Sequence, residues 1–154
     1  AYLNYPNKVM NAQSADIDVV SGATGSYNDY NAAVQMALDL ASDNYDGNKF
    51  YGLTRDYSHG HILVEVTLNN SRDKIEDVQF VTKGKDAKDR ITLMGAKDEN
   101  YPLDSAIKAF HELPERVEDN QKVSADIVSG ATHTSVGFYE AVLQALNSAG
   151  ADFE

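Results

Sequence analysis

Between residues 50 and 82 the apolar positions recur with a period of two. Ile62, Val64, Val66 and Leu68 fall on one side of the segment 61–68 and Glu65 and Thr67 on the other, the pattern of a strand with one face buried. Residues 50–55 and 75–82 read as further strands, and the polar cluster 69–74 supplies a turn, so the three runs predict an antiparallel meander. Elsewhere the period lengthens towards 3.6. Ala106, Ile107, Phe110 and Leu113 form a helical face expected to break at Pro114. Val136, Tyr139, Val142, Leu143 and Leu146 form a second face in a final helix over 134–148, and Tyr27, Tyr30, Val34, Ala37 and Leu38 a third, opened by Ser26-x-x-Asp29. Residues 1–13 predict a short helix. Residues 83–100, rich in Lys, Asp and Gly with an apolar island at Ile91, Leu93 and Met94, predict a mobile loop. The fold class expected is α+β, a small antiparallel sheet packed with helices and preceded by a helical half-repeat.

The half-repeat is visible as self-similarity. Asp18-Val19-Val20-Ser21-Gly22-Ala23-Thr24 and Asp126-Ile127-Val128-Ser129-Gly130-Ala131-Thr132 stand 108 positions apart (129 − 21). At the same shift Pro6 meets Pro114, Gln13 meets Gln121, Ala33-Val34 meets Ala141-Val142 and Leu38 meets Leu146. A gap-free match of this length marks an internal repeat. Residues 1–42 carry helices and a loop without strands of their own. Their apolar stripe needs cover from the complete copy, from upstream residues, or from a second chain in a homo-oligomer.

The repeated string has chemistry of its own. Ser129, Gly130 and Ala131 are small enough for a backbone to approach a ligand closely, and they lead into a helix whose first N–H groups and positive dipole end favour an anion. Thr132, Thr134 and Ser135 add hydroxyls, of which Thr134 or Ser135 is free to cap the helix. Ser21, Gly22, Ala23 and Thr24 repeat the arrangement. A turn of small residues with a capping hydroxyl is the ordinary structural alternative for either loop. His133 reads as a solvent-facing loop histidine, and His59 and His61 as an edge-strand pair without a third metal ligand.

These residues resemble the FMN-binding domain family found in the C subunit of the sodium-pumping NADH:quinone oxidoreductase, in the G subunit of the Rnf complex and in flavinylated surface lipoproteins. The family pattern Asp-x-x-Ser/Thr-Gly-Ala-Thr is met at both loops, and Asp46-Gly47-Asn48-Lys49-Phe50-Tyr51-Gly52 resembles the opening of the domain. The resemblance implies a complete domain over 46–148 and the second half of a preceding copy over 1–42. It implies FMN as cofactor, joined through its phosphate to Thr132, and to Thr24 where that loop is also used, by a flavin transferase that draws on FAD and recognises Asp126 or Asp18. It further implies an electron carrier rather than a stand-alone enzyme, outside the cytoplasm beside membrane redox proteins and held there by an anchor upstream of this segment. The Glu-Thr-x-Gly-Leu-Gly segment of the respiratory subunits has no clear counterpart, only Thr92-Leu93-Met94-Gly95-Ala96-Lys97.

Composition narrows the alternatives. Thirteen basic against 24 acidic residues leave a net charge of −11 over 154 residues, which opposes both nucleic-acid binding and docking of basic patches on anionic lipid. With no cysteine, disulfides, iron–sulfur clusters and thiolate metal sites are excluded. No apolar run approaches the roughly 20 residues needed to insert in a bilayer. No nucleophile with a base, paired carboxylates or dinucleotide fingerprint is present. Besides the covalent flavoprotein, two readings stay open: a module that binds FMN or another phosphorylated ligand reversibly, and a structural surface repeat that has lost its flavin.

Overall fold

Strand β2, Leu63–Leu68, is the middle of a three-stranded antiparallel sheet of order β1-β2-β3, flanked by β1, Lys49–Leu53, and β3, Ile75–Val81. Among the described residues four helices complete the α+β fold: α1, Tyr5–Ala12; α2, Thr24–Ala41; α3, Asp104–Asn120; and α4, Thr132–Ser148. The structure is a computed structural model that describes residues 5–17, 24–54, 60–82, 93–124 and 126–153. It divides into two compact units, Ala1–Gly47 and Asn48–Glu154. Residues 83–92 of the loop predicted over 83–100 and the first small-residue loop, including Asp18, Ser21, Gly22 and Ala23, lie outside the described residues, as does His59.

In the larger unit the alternation along β2 decides which face is covered. Ile62, Val64, Val66 and Leu68 are all buried, joined by Phe50 from β1 and Ile75 and Val78 from β3. Helix α4 packs against β1 and β2, and α3 against β3. Phe80 links the layers, its ring 4.1 Å from Phe110 of α3 and 4.8 Å from the fully buried Phe138 of α4. The opposite face carries a polar ladder. Tyr51, Glu65 and Gln79 stand directly across from one another, and Glu65 accepts hydrogen bonds from Tyr51, from Lys49 at 2.6 Å and from Gln79 at 2.9 Å. Burial pushes the Glu65 carboxyl up, but these donors outweigh it and hold the group below its ordinary value of 4.5.

A three-stranded sheet has two open edges, and here helical side chains occupy parts of both. At β3, Gln121 accepts from the Ile75 N–H at 2.8 Å and donates to its carbonyl at 2.9 Å, while Glu118 accepts from the Val78 N–H at 2.8 Å. At β1, Gln144 accepts from the Leu53 N–H at 3.1 Å. These amides and carboxylates take hydrogen bonds that another strand would otherwise supply.

Two helical expectations need correction. Helix α3 does not break at Pro114 but continues to Asn120. The proline removes a hydrogen bond and costs about 3 kcal/mol, yet the buried stripe Ala106, Ala109, Leu113 and Val117 runs straight across it. Full burial of Leu113 and Val117 contributes about 1.5–3 kcal/mol for each such side chain, which offsets the proline and holds the next turn in place. In α4 the covered face is Phe138, Tyr139, Ala141, Val142, Ala145 and Leu146, whereas Val136 and Leu143 are 41% and 47% exposed. At Ala141 a small residue makes the contact, because the sheet comes very close there. A methyl placed on Gly52 of β1 would lie 1.7 Å from the Ala141 carbonyl oxygen.

The smaller unit reproduces details of the larger at the repeat spacing. Gln13 and Gln121 both take the left-handed conformation, with φ of 50° and 52°. Each folds its amide back on the carbonyl three residues earlier, Met10 at 2.7 Å and Glu118 at 2.6 Å. Tyr5 is fully buried, as is its counterpart Leu113, and its ring stacks 5.4 Å from Tyr30. Thr24 opens α2 as Thr132 opens α4.

Candidate functional site

The second small-residue loop is held from below. Val128 is buried, and its N–H donates at 3.0 Å to the hydroxyl of Ser135, which is also fully buried and donates in turn to the Ala131 carbonyl at 3.0 Å. The Ala131 N–H closes the bend on the Val128 carbonyl at 2.9 Å. Gly130 sits at φ +80°, where a side chain would be strained, and its carbonyl accepts from Ser105 of α3 at 3.0 Å. Sequence placed Ser135 among the cofactor contacts. Its hydroxyl instead lies inside the protein, engaged by two backbone groups, so it fixes the shape of the loop.

The cap is also different from expectation. Ala131 is the N-cap of α4 and makes no side-chain cap hydrogen bond, so neither Thr134 nor Ser135 fills that role. The first carbonyl accepting along the helix is that of Ala131, which takes the Ser135 N–H at 2.9 Å. The N–H groups of Thr132, His133 and Thr134 precede that bond and point from a helix end with a partial positive charge.

In front of this end lies a cleft of about 380 Å³ lined by Gly130, Ala131, Thr132, His133 and Thr134 on one side and by Met94, Lys97, Tyr101, Leu103 and Ala106 on the other. Thr132 and His133 are exposed, and Thr134 is half-buried. Ser129 is exposed in the bend and does not line the cleft. The far wall is fixed to the sheet: Leu93 bridges to His61, and the Met94 N–H donates to the His61 carbonyl at 2.7 Å. A turn at Asp98, whose carboxylate accepts from the Asn100 N–H at 3.0 Å, then carries the chain to Tyr101.

Lys97 is the feature of this wall that sequence reading missed. It is 7% exposed, and its ammonium lies 3.9 Å from the centre of the Tyr101 ring without a salt bridge to any carboxylate among the described residues. A cation–π contact contributes about 0.5–2 kcal/mol. Removing an ammonium from water costs several kcal/mol, so the ring alone does not compensate. No Asp or Glu lines the cleft among the described residues, in a chain with 24 of them. The cleft thus joins an uncapped helix end, which favours an anion, to a facing wall that holds a buried ammonium beside the apolar Met94, Leu103 and Ala106.

Asp126 stands outside the cleft lining. Its carbonyl is gripped by the Tyr139 hydroxyl at 3.0 Å and by Arg116 at 3.2 Å, and its own N–H donates to Ser124 at 3.1 Å. Burial raises the Tyr139 phenol above its ordinary value of 10, against the opposing pull of Arg116, which keeps it a donor. The backbone of Asp126 is therefore fixed while its side chain is exposed.

A family model described as the FMN-binding domain matches residues 58–147. That span takes in most of the sheet, α3, the small-residue loop and nearly all of α4, and the chain belongs to the FMN-binding domain family. No curated protein and no solved structure matches it. The cleft suits the group. The uncapped N-terminus of α4 would suit a phosphate, and the apolar wall a flat ring system.

Proposed function

We propose that the domain carries FMN covalently through a phosphoester on Thr132 and acts as an electron carrier. The observation that supports this most is the position of Thr132: an exposed hydroxyl in the first turn of an uncapped helix, at the edge of a cleft without carboxylates. In the attachment step the Thr132 oxygen displaces AMP from FAD at the flavin-side phosphorus, and the hydroxyl proton leaves to a base of the flavin transferase. The N–H groups at the start of α4 and the Thr134 hydroxyl then hold the phosphodiester, and Ser135 keeps the bend in shape.

FMN, when bound, supplies reversible one- and two-electron chemistry. A covalent bond suits a carrier, since every tenfold gain in retention by contacts alone requires about 1.4 kcal/mol. Asp126, fixed through its backbone and displayed through its side chain, is the recognition element for the transferase. On this reading the domain works outside the cytoplasm and exchanges electrons with membrane redox proteins. Among the described residues no helix is long and apolar enough to cross a membrane.

Co-expression with a flavin transferase followed by intact-mass measurement tests the proposal. The expected result is an added FMN phosphoester, lost in Thr132→Ala and kept in Thr132→Ser. An adduct that persists in Thr132→Ala at undiminished yield overturns the assignment, and peptide mapping then shows whether Thr24 carries it. Yellow colour that departs on denaturation, with no mass change, establishes reversible binding instead.

A further inference from the structure

We propose that Lys97 is the positive charge that sets the reduction potential of the flavin, positioned at the ring end of the cleft rather than at the phosphate. The inference rests on the reading that FMN lies in this cleft with its phosphate at the start of α4. The phosphate end is already supplied with N–H groups and hydroxyls from Thr132 to Thr134. Lys97 belongs to the facing wall. It also lines an adjoining depression shared with Asp98, Glu99, Phe110 and His111, to which no residue of α4 contributes. Its location is therefore on the side of the cleft that leads away from Thr132.

The chemistry of the ring calls for a cation in such a place. Two-electron reduction with uptake of one proton at N5 leaves a negative charge over N1 and the C2 carbonyl, and an ammonium nearby stabilises that form over the neutral oxidised one. Lys97 meets the structural requirements. It is nine-tenths buried and so weakly screened, it is backed by the Tyr101 ring, and it is not in a salt bridge among the described residues. Asp98 and Glu99 face the neighbouring depression and do not line the cleft. Placing a neutral side chain at this position removes the stabilisation of the reduced ring while leaving the Thr132 attachment point untouched.

The test uses flavin-loaded protein, with the wild type compared with Lys97→Met, Lys97→Gln and Lys97→Arg. Reductive titration against a reference dye is followed by flavin absorbance. The expected result is normal loading of all variants by mass, with the reduced-to-oxidised ratio at fixed potential falling at least about tenfold in Lys97→Met and Lys97→Gln, a shift of about 30 mV for a two-electron couple. Lys97→Arg restores most of it. Sulfite is an independent probe, because it adds its electron pair to N5 and places the same negative charge over N1 and the C2 carbonyl without a separate reductant. Its affinity falls in parallel.

An unchanged potential and sulfite affinity in loaded Lys97→Met and Lys97→Gln overturn the proposal. So does a loss of FMN loading in a variant that still melts cooperatively, since Lys97 then serves the phosphate. Failure of the wild type to acquire FMN is a separate outcome, which defeats the underlying reading of the cleft itself.

Discussion

The hydroxyl of Ser135 sits 3.0 Å from the Val128 N–H, and through that bond the first turn of α4 holds the strand-like segment that enters the loop. The bend between them is thus tied at both ends by a buried group. Ser135→Ala leaves the Val128 N–H buried and without its acceptor, which costs about 1–3 kcal/mol. Chemical denaturation read by far-ultraviolet circular dichroism is expected to show this loss.

Thr132, three residues earlier, behaves in the opposite way. It is exposed, so Thr132→Val changes stability by no more than about 0.5 kcal/mol while abolishing the proposed phosphoester. Comparing the melting curve and the intact mass of Thr132→Val with those of Ser135→Ala separates the anchor from its scaffold.

Gly52 is required by closeness rather than by backbone freedom. In Gly52→Ala the new methyl meets the Ala141 carbonyl oxygen, 1.7 Å away with the backbone as it stands. Moving α4 off β1 is expected to cost at least about 1–3 kcal/mol. A lower denaturation midpoint checks this, and Ala141→Gly does not rescue it, because the clash is with main chain.

Pro114 is a local fault that the surrounding packing overrides. Pro114→Ala restores an N–H for the Phe110 carbonyl inside α3, and stability is expected to rise by up to about 3 kcal/mol. The gain is measured as an increased urea midpoint. An unchanged or lower midpoint shows that the proline ring has a packing role of its own.

Glu65 gives the fold an acid sensitivity of defined sign. Its carboxyl is held below its ordinary 4.5 in the folded state by Lys49, Tyr51 and Gln79, so its stabilising contribution is present above the unfolded value and is lost as pH falls through the lowered folded value. Melting temperature followed from about pH 6 down to about pH 3 therefore declines more steeply for the wild type than for Glu65→Gln.

Sequence made the sheet legible because one buried face imposes a strict alternation: Ile62, Val64, Val66 and Leu68 admit a single register. The bend at 129–132 was equally plain, since small residues before a helix limit what the backbone can do. Pro114 misled because a local rule was applied without Val117, one turn further on, whose burial keeps the helix going. Ser135 misled for another reason. A hydroxyl near a candidate site looks alike on paper whether it faces a ligand or a buried N–H. Lys97 was lost in a run of charged residues, because its burial at the edge of a cleft whose described lining has no carboxylate arises only when 93–101 folds against α3 and the loop. The island at Leu93 and Met94, followed within eight residues by Tyr101, was the available hint that this segment returns to the core.

The clasp of Gln121 and Glu118 on Ile75 and Val78 limits how the molecule can meet its neighbours. A visiting β-strand would have to displace both side chains before it could extend the sheet at that margin. Association with any protein partner at that margin is accordingly steered towards side-chain surfaces, which can separate after each encounter, and away from backbone pairing, which tends to lock proteins together.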